Sequence, residues 1–285
     1  MSVANLRSLA GRTVIMSGGS RGIGLEIARR AAADGANITL IAKTDAPHPK
    51  LPGTIHTAAA ELEAAGGTVL KAVGDIRSDE HVERAVAQTL EAFGAIDIVI
   101  NNASAIDLTR TDAIAMKKYD LMHDINCRGS FLLSKLCLPA LRASAAAGRN
   151  PHILTLSPPL NLNPRWAGGM LAYTMAKYGM SITTLGLAEE LKHDGIGVNS
   201  LWPHTTIATA AVQNVLGGVD IIATSRTPAV MADAAYCILT SDAATTSGNF
   251  FIDDDVLNAH GVVDFDQYRV APGHSELELD LFLDS

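Results

Sequence analysis

Short apolar runs alternate along the chain with alanine-rich stretches of helical composition. Seven runs rich in Val, Ile and Leu are predicted as strands, at 13–17, 37–42, 68–73, 96–101, 152–157, 197–202 and 249–253. Helices are predicted between them, at about 25–33, 54–65, 79–93, 112–147 and 170–193. Because continuously apolar strands need cover on both faces, the pattern indicates a parallel sheet between two layers of helices.

The totals of the sequence favour one acidic domain. The chain has 285 residues, of which 48% are apolar, and a net charge of −8. We find no internal repeat or linker, so residues 1–285 are predicted to form a single domain. The negative charge and the lack of a basic stripe argue against nucleic-acid binding. No apolar run is long enough for a membrane span, and residues 1–12 lack the apolar stretch of a signal peptide, so we expect a cytoplasmic protein. The three cysteines have no metal-ligand spacing, and no metal is expected.

A glycine-rich turn follows the first predicted strand, in the segment Ser17-Gly18-Gly19-Ser20-Arg21-Gly22-Ile23-Gly24. Gly18 permits a tight turn, Gly22 lets the backbone approach a pyrophosphate, and Gly24 lets helix and strand pack closely. The helix that follows offers free N–H groups to the anion. An ordinary strand-to-helix turn is the alternative. With a dinucleotide at this turn, the predicted fold is α/β, a Rossmann-type three-layer sandwich with a seven-stranded parallel sheet.

Charge at the end of the second strand indicates which dinucleotide binds. NAD sites usually place an acidic residue there, but this strand ends at Lys43, and the first acid is Asp45. Lys43 and Arg21 would favour a 2′-phosphate, so NADP(H) is preferred over NAD(H). The alternative is that Lys43 is a solvated lysine at a strand end. After the third strand, Asp75 with Ile76 is placed to hold the adenine; the alternative for Asp75 is a helix cap.

Tyr173 and Lys177 are four residues apart in a predicted helix and would therefore lie on one side of it. A free phenol has a pKa of about 10, and a nearby cation lowers the pKa by stabilising the phenolate. Such a pair could exchange a proton near neutral pH. Ser157 ends the fifth strand, at the edge where ligands bind, and Asn126 lies within a long helix that it could kink. The alternative for the tyrosine and the lysine is decoration of a helix surface.

Taken together, these motifs resemble the short-chain dehydrogenase/reductase family over about residues 12–253. The resemblance implies hydride transfer, with Tyr173 as general acid/base, Lys177 lowering its pKa and binding the nicotinamide ribose, Ser157 polarising the substrate carbonyl, and Asn126 anchoring a water. It also encourages a role for Lys50 and His48 at the phosphate. The implied catalytic residues are Asn126, Ser157, Tyr173 and Lys177. The implied cofactor contacts are Ser17, Gly18, Ser20, Arg21, Gly22, Ile23, Gly24, Lys43, Lys50, Asp75, Ile76, Asn102, Ala103, Ser104, Tyr173, Lys177, Pro203, Ile207 and Thr209.

Several stretches are similar to one narrower group within the family, among them Leu156 to Pro164 and Pro272 to Asp284. Members of that group can carry a sterol-carrier-like domain after the reductase domain, and we expect the reductase domain alone here. The chain also departs from the broader family: Ser104 replaces a usual glycine, and Pro203-His204 replaces a usual Pro-Gly. Ile207 and Thr209 remain the expected contacts to the nicotinamide carboxamide.

On the substrate side, residues 203–230 are predicted to form a lid, and residues 255–285 a C-terminal extension. The lid is rich in Ala, Val, Ile and Leu and carries the polar residues His204 and Arg226; this composition suits a lipophilic substrate and a role in lipid metabolism. Alternatively, the lid residues pack on the core or on a second subunit. Asp253-Asp254-Asp255 is interpreted as a turn of solvated acids. The alternating leucines of the extension could dock as a strand or arm on another subunit.

The favoured function is an NADP(H)-dependent oxidoreductase acting on a carbonyl/alcohol pair of a small molecule. The alternative is a sensor or scaffold that binds NADP(H) without turnover. Reduction of a carbon–carbon double bond is disfavoured, because enoyl-thioester reductases commonly space the tyrosine and lysine more widely. The resemblance also implies a homodimer or homotetramer paired through the two long helices.

Overall fold

The sheet contains seven parallel strands in the order β3-β2-β1-β4-β5-β6-β7. The computed structural model describes residues 8–47, 53–271, 273 and 276–284. The strands are β1 (Thr13–Ser17), β2 (Asn37–Ala42), β3 (Thr68–Val73), β4 (Ile98–Asn101), β5 (His152–Thr155), β6 (Gly197–Trp202) and β7 (Phe250–Ile252). The predicted seven-stranded Rossmann-type sheet is confirmed, with the order of strands reversing direction beside β1. That reversal opens a crevice at the carboxyl ends of β1 and β4.

Helices cover both faces of the sheet. They are α1 (Gly22–Ala32), α2 (Ile55–Ala64), α3 (Asp79–Phe93), α4 (Met116–Met122), α5 (Gly129–Ala146), α6 (Pro164–Gly168), α7 (Leu171–Glu190), α8 (Ala210–Val212), α9 (Gly218–Ala223), α10 (Ala229–Thr240) and α11 (Asp253–Ala259). One core cluster joins the sheet to α1, α2 and α10, and a second joins it to α3, α5 and α7. Along β1 the side chains alternate between them, because Val14 and Met16 enter the first cluster and Ile15 the second.

The helix predicted at 112–147 is shorter and is interrupted. It begins at Met116, and a π-helical turn at His123–Arg128 separates α4 from α5. Asn126 lies inside this turn. One extra residue in a helical turn redirects the side chains that follow, and such turns are frequent at functional sites. The predicted interruption near Asn126 is therefore present as a change of helical period.

The segment predicted as a lid carries three short pieces of helix, α8, a π-helical turn at Gln213–Gly217, and α9. It returns to the body of the protein at Ser225 and Arg226, which are both buried. The far end of the chain, residues 276–284, lies against this segment through an antiparallel bridge between Thr205 and Leu279. The end of the chain therefore docks in a strand-like manner on its own chain, where the sequence suggested another subunit. No helix within the described parts of the chain has the length and apolar character needed to cross a membrane.

Candidate active site

The glycine turn after β1 adopts a shape that side chains would block. Gly18 has φ of +73°, and a Cβ added to it would lie 2.8 Å from the Cα of Ala103. Gly22 has φ of +56°, and a Cβ there would lie 3.3 Å from Thr209. A Cβ on Gly24 would collide with the side-chain amide of Asn102. At all three predicted positions a side chain would therefore be crowded. At Gly18 and Gly22 the positive φ also favours glycine.

The segment after β4 holds the glycine turn in place. The hydroxyl of Ser17 accepts hydrogen bonds from the backbone N–H groups of Asn102 and Ala103, at 3.2 and 3.1 Å. The amide of Asn102 donates to the carbonyl of Gly18 at 2.8 Å. These bonds join the carboxyl ends of β1 and β4 at the crevice. Ser104, the next residue, is exposed.

The N-terminus of α1 fits an anion. Arg21 is the N-cap residue, its side chain makes no capping hydrogen bond, and the first turn of the helix contains no acid. The Arg21 side chain donates to the carbonyl of Gly53 at 3.1 Å, and its Nε is buried without a hydrogen-bond partner among the described residues. Burial lowers the pKa of Arg21. A buried, unpaired guanidinium nitrogen beside free helical N–H groups is suited to a phosphate oxygen.

The acids near the end of β2 are occupied, whereas the lysine there is exposed. The carboxylate of Asp45 lies 2.6 Å from Nε2 of His56. Lys43 is exposed, and its charge is among the causes that lower the pKa of Asp75, after the hydrogen bonds and charge of Arg77. The predicted contacts His48 and Lys50 lie outside the described residues.

Asp75 does not cap α3 in this structure. The N-cap of α3 is Ser78, whose hydroxyl accepts from the N–H of His81 at 3.3 Å. The carboxylate of Asp75 instead accepts from the guanidinium of Arg77 at 2.7–3.1 Å. Ile76 is buried beside Gly129 on α5. The helix-cap interpretation is therefore wrong, and the carboxylate that was predicted to contact the adenine is paired with an arginine.

Tyr173 and Lys177 lie on the buried face of α7, so the interpretation as surface decoration does not apply. Their exposed fractions are 4% and 3%. The Lys177 ammonium donates to the carbonyl of Leu156 at 2.8 Å and lies 5.0 Å from the centre of the Trp202 ring. Leu156 immediately precedes Ser157, so the lysine is tied to the segment that carries the serine. The structure thus places Lys177 against the segment that follows β5, with Tyr173 one turn away on the same buried face of α7.

The hydroxyl of Ser157 begins a buried chain of hydroxyl groups. Its Oγ lies 2.8 Å from Oγ of Ser200, which in turn donates to Oγ1 of Thr184 at 2.9 Å. In the bond between Ser157 and Ser200 either hydroxyl can be the donor, so the Ser157 proton can also turn toward a ligand oxygen. Asn126 is also fully buried, and its side chain binds the backbone of Ala105 through both ends, at 2.7 and 3.0 Å. In this structure Asn126 fixes the chain that follows β4.

The pKa of Tyr173 moves in the opposite direction from the sequence prediction. Burial raises the pKa of the phenol, and the nearby charge of Asp280 raises it further. Burial lowers the pKa of Lys177 to about 7, and Asp280 opposes that shift. In the structure, burial therefore outweighs any lowering of the Tyr173 pKa by Lys177. The reason is that the pair is removed from water, which disfavours phenolate and ammonium alike.

The end of the chain contributes two residues to the site that the sequence did not identify. Asp280 is buried beside Lys177, and burial together with the charge of Asp253 raises the pKa of Asp280 to about 7. Phe282 is fully buried, with its ring centre 6.0 Å from that of Tyr173. The alternation of leucines marked this segment as strand-like. No local signal showed that it would lie beside a helix more than a hundred residues earlier.

The three aspartates at the start of α11 do not form a turn of solvated acids. Asp253 is fully buried, and its Oδ1 accepts from the N–H groups of His204 and Asp254, at 2.7 and 2.8 Å. Asp254 binds Nδ1 of His204 at 2.8 Å and forms a buried ion pair with Arg226. The solvated interpretation holds only for Asp255, which is exposed. The aspartates instead join β7 to the lid.

The remaining predicted cofactor residues line the carboxyl edge of the sheet. Pro203 follows β6 and is buried. Ile207 is buried in the core and pairs with Arg226 in a parallel bridge. Thr209 caps α8 and faces Gly22 across the crevice. This places Thr209 next to the glycine turn rather than deep in the site.

Comparisons with known proteins identify the family and the fold. The family model described as short chain dehydrogenase matches residues 12–218. The chain is 54% identical over 280 residues to hydroxysteroid dehydrogenase-like protein 2 of Danio rerio, covering 98% of this chain and 66% of that relative, so it spans just under two thirds of the relative's length. The narrower resemblance noted in the sequence is thereby confirmed.

Two solved structures are also similar. One is a putative dehydrogenase from Xanthomonas campestris, with a TM-score of 0.93, 51% identity, and coverage of 98% of this chain and 100% of that chain. The other is a short chain dehydrogenase from Mycobacterium thermoresistibile, with a TM-score of 0.90, 54% identity, and coverage of 98% and 97%.

Proposed function

The chain belongs to the short-chain dehydrogenase family, and on that premise we propose that it moves a hydride between NADP(H) and the carbonyl or alcohol group of a lipophilic small molecule. One observation carries the proposal. Tyr173 and Lys177 share the buried face of α7, and Lys177 is bonded to the residue before Ser157, at the edge of the sheet where the glycine turn opens. This arrangement supports a site in which a proton donor, a cation and a hydroxyl act together at the expected ligand crevice.

The residues present fit a dinucleotide at the glycine turn. Gly18 and Gly22 leave the backbone bare, and Arg21 offers a buried nitrogen without a partner beside the start of α1. Further support for the cofactor half comes from Ser17 and Asn102, which hold the turn. The chemistry that the reduced dinucleotide supplies when bound is a hydride for the carbonyl carbon.

In the reductive direction, Tyr173 gives its phenolic proton to the substrate oxygen. Lys177 carries positive charge beside the phenolate that remains, which favours the proton transfer. Ser157 orients the substrate oxygen by hydrogen bonding. Because the site is buried, each of these interactions is stronger than it would be in water. The reverse direction uses the same groups, with Tyr173 accepting the proton of an alcohol.

The preference for NADP(H) is supported by the charges around the end of β2. Lys43 is exposed there, and Arg21 lies between the glycine turn and Gly53. The nearest acids, Asp45 and Asp75, are paired with His56 and Arg77. A 2′-phosphate would meet these two cations, Lys43 and Arg21.

A lipophilic substrate is supported by the surroundings of Tyr173. The phenol belongs to an apolar cluster that is separate from the two core clusters of the sheet. That cluster contains Met122, Met170, Trp202 and Phe282 among its buried members. Apolar walls around one polar reacting group favour a substrate whose carbonyl carries a hydrocarbon chain.

A second function is favoured by one observation, the nearly complete burial of Tyr173 beneath the end of the chain. A sensor that binds NADP(H) without turnover has no need to expose this phenol. The experiment that separates the two functions follows NADPH absorbance with aldehydes, ketones and 3-ketoacyl thioesters. We expect turnover, and a loss of about hundredfold or more in Tyr173→Phe.

The matched control is Tyr236→Phe, which removes a phenol oxygen bonded to Asp34 on the other side of the sheet. It should keep the wild-type rate. Equal turnover in wild type and Tyr173→Phe would overturn the acid/base role. NADPH binding with no turnover of any compound would favour the sensor.

A further inference from the structure

The C-terminal tail, residues 276–284, crosses the substrate side of the site. Its first half is bonded to the lid segment. The N–H of Glu278 donates to the carbonyl of Thr224 at 3.1 Å, and the carbonyl of Glu278 accepts from Thr206 at 2.9 Å. The N–H of Asp280 donates to the carbonyl of His204 at 3.0 Å. These bonds fix the tail along residues 204–224 before it reaches Tyr173.

The second half of the tail is bonded to the loop that follows Ser157. Asn161 donates to the carbonyl of Phe282 at 3.0 Å, and Arg165 donates to the carbonyl of Leu283 at 3.0 Å. The carboxylate of Asp284 forms an ion pair with Arg165 at 2.7 Å. Both halves of the tail are therefore held in place by hydrogen bonds, so the tail forms one wall of the site.

Phe282 stands at the centre of this wall. Its ring centre lies 5.3–6.0 Å from four other aromatic rings, those of Trp166, Tyr173, Tyr178 and Trp202. Its backbone has φ of +71°, a conformation that a bulky side chain adopts only where surrounding contacts impose it. The hydrogen bonds on either side of Phe282 supply those contacts.

We propose that Phe282 is a specificity-determining residue, whose ring limits the size of the group that a carbonyl substrate can place beside Tyr173. The inference rests on the function proposed above. A substrate oxygen must reach the phenol, whose exposed fraction is 4%, and the Phe282 ring occupies apolar space next to it. Small carbonyl compounds pass beside the ring, and longer chains meet it.

The first test compares butanal with dodecanal in wild type and Phe282→Ala, using NADPH. Removing the ring should raise the ratio of kcat/KM for dodecanal over butanal by about tenfold, the scale on which a change of a few methylene volumes acts in an apolar pocket. The matched control is Phe265→Ala, from the same C-terminal extension. Its ring packs on Tyr268 at 6.2 Å and should leave the ratio unchanged.

A second readout needs no turnover. The chain has two tryptophans, Trp166 and Trp202, and both lie 5.8 Å from Phe282. Their fluorescence reports on alcohols entering this space. In Phe282→Ala, dodecanol should bind about tenfold more tightly than in wild type, with little change for butanol. Equal gains for both alcohols, or the same gain in Phe265→Ala, would overturn the proposal.

Two further variants guard against loss of folding in Phe282→Ala. Phe282→Leu and Phe282→Trp keep the position apolar while making the side chain smaller or larger. The affinity for dodecanol relative to butanol should fall from Phe282→Leu to wild type to Phe282→Trp. The same relative affinity in all three proteins would contradict the proposal. Insensitivity of turnover to Tyr173→Phe would instead remove the proposed function, while the alcohol titration would still report on Phe282.

Discussion

The two parts of the crevice that we propose as its cofactor half and its substrate half depend on different structural features. The cofactor half, residues 17–24 with 102–104, depends on backbone shape, because Gly18 and Gly24 have no room for a side chain. The substrate half, around Tyr173 and the C-terminal tail, depends on side chains from distant segments. Tyr173 and Phe282 meet across more than a hundred residues. A site that depends on backbone conformation can be recognised from a local sequence motif. A site assembled from side chains of distant segments cannot.

The two halves also differ in how they hold charge. Lys43 at the cofactor half is exposed, so water and salt screen it. In the substrate half Lys177, Asp253 and Asp280 are buried, and burial brings the pKa of each to about 7. Dinucleotide binding at the cofactor half should therefore depend mainly on backbone conformation and on salt concentration. The properties of the substrate half should depend mainly on pH.

The largest expected effect comes from giving the glycine turn a side chain. In Gly18→Ala the new Cβ would lie 2.8 Å from the Cα of Ala103, a backbone atom that cannot swing away, and φ of +73° adds strain. We expect NADPH binding to weaken by about hundredfold and the free energy of unfolding to fall by about 1–3 kcal/mol. Calorimetric titration with NADPH and urea unfolding measure the two effects.

Gly94→Ala is the control for strain alone. Gly94 has nearly the same φ, +75°, but an added Cβ there would meet nothing within 4 Å. This variant should lose stability and keep wild-type affinity for NADPH. Wild-type affinity in Gly18→Ala, or an equal loss in Gly94→Ala, would show that shape at this turn does not govern binding.

The sequence predicted the sheet and the glycine turn because both depend on local rules. Apolar runs located all seven strands, with differences at some ends; β4 begins at Ile98 rather than 96. The spacing of the glycines located the turn that follows β1. Apolar strand runs, and glycines at positions of positive φ, are recognised from the local sequence alone. Their prediction therefore needs no knowledge of the rest of the fold.

The substrate half was predicted only in its residue types. Tyr173, Ser157 and Lys177 remain the predicted reacting groups, but the predicted direction of the Tyr173 pKa shift was wrong, because the shift depends on burial and on Asp280. Asp253 was interpreted as solvated and is fully buried. Burial is decided by which segments come together, and the arrival of the C-terminal tail could not be inferred from spacing along the chain.

The next effect in size concerns the buried Asp253. Burial is the main cause that raises its pKa to about 7, from an ordinary value of 3.8. A raised pKa means that the folded protein prefers the neutral carboxyl. The stability that this preference contributes is present below about pH 4 and is lost as pH rises through 7. The variant Asp253→Asn stays neutral, so above pH 7 it should be more stable than wild type by about 2 kcal/mol.

Urea unfolding at pH 5 and pH 8 tests this, since most of the difference between variant and wild type should develop between those two values. Asn at this position keeps an oxygen for the N–H groups of His204 and Asp254. The control is Asp255→Asn, an exposed aspartate in the same turn. A difference between Asp253→Asn and wild type that does not depend on pH would contradict the buried, neutral carboxyl.

The smallest expected effect returns to the cofactor half. In Lys43→Glu the charge at the end of β2 is reversed, which should lower the preference for NADPH over NADH by about tenfold. The effect is modest because Lys43 is exposed, and added salt should shrink the wild-type preference as well. Titrations of both dinucleotides with wild type and variant give the four dissociation constants that are needed.

The control Lys71→Glu makes the same change of net charge at an exposed position on β3. Because it lies within the strand rather than at its carboxyl end, it should leave the preference nearly unchanged. Tighter binding of NADH than of NADPH by the wild type would contradict the charge argument. Equal effects of the two lysine variants would show that net charge, and not the position of Lys43, sets the preference.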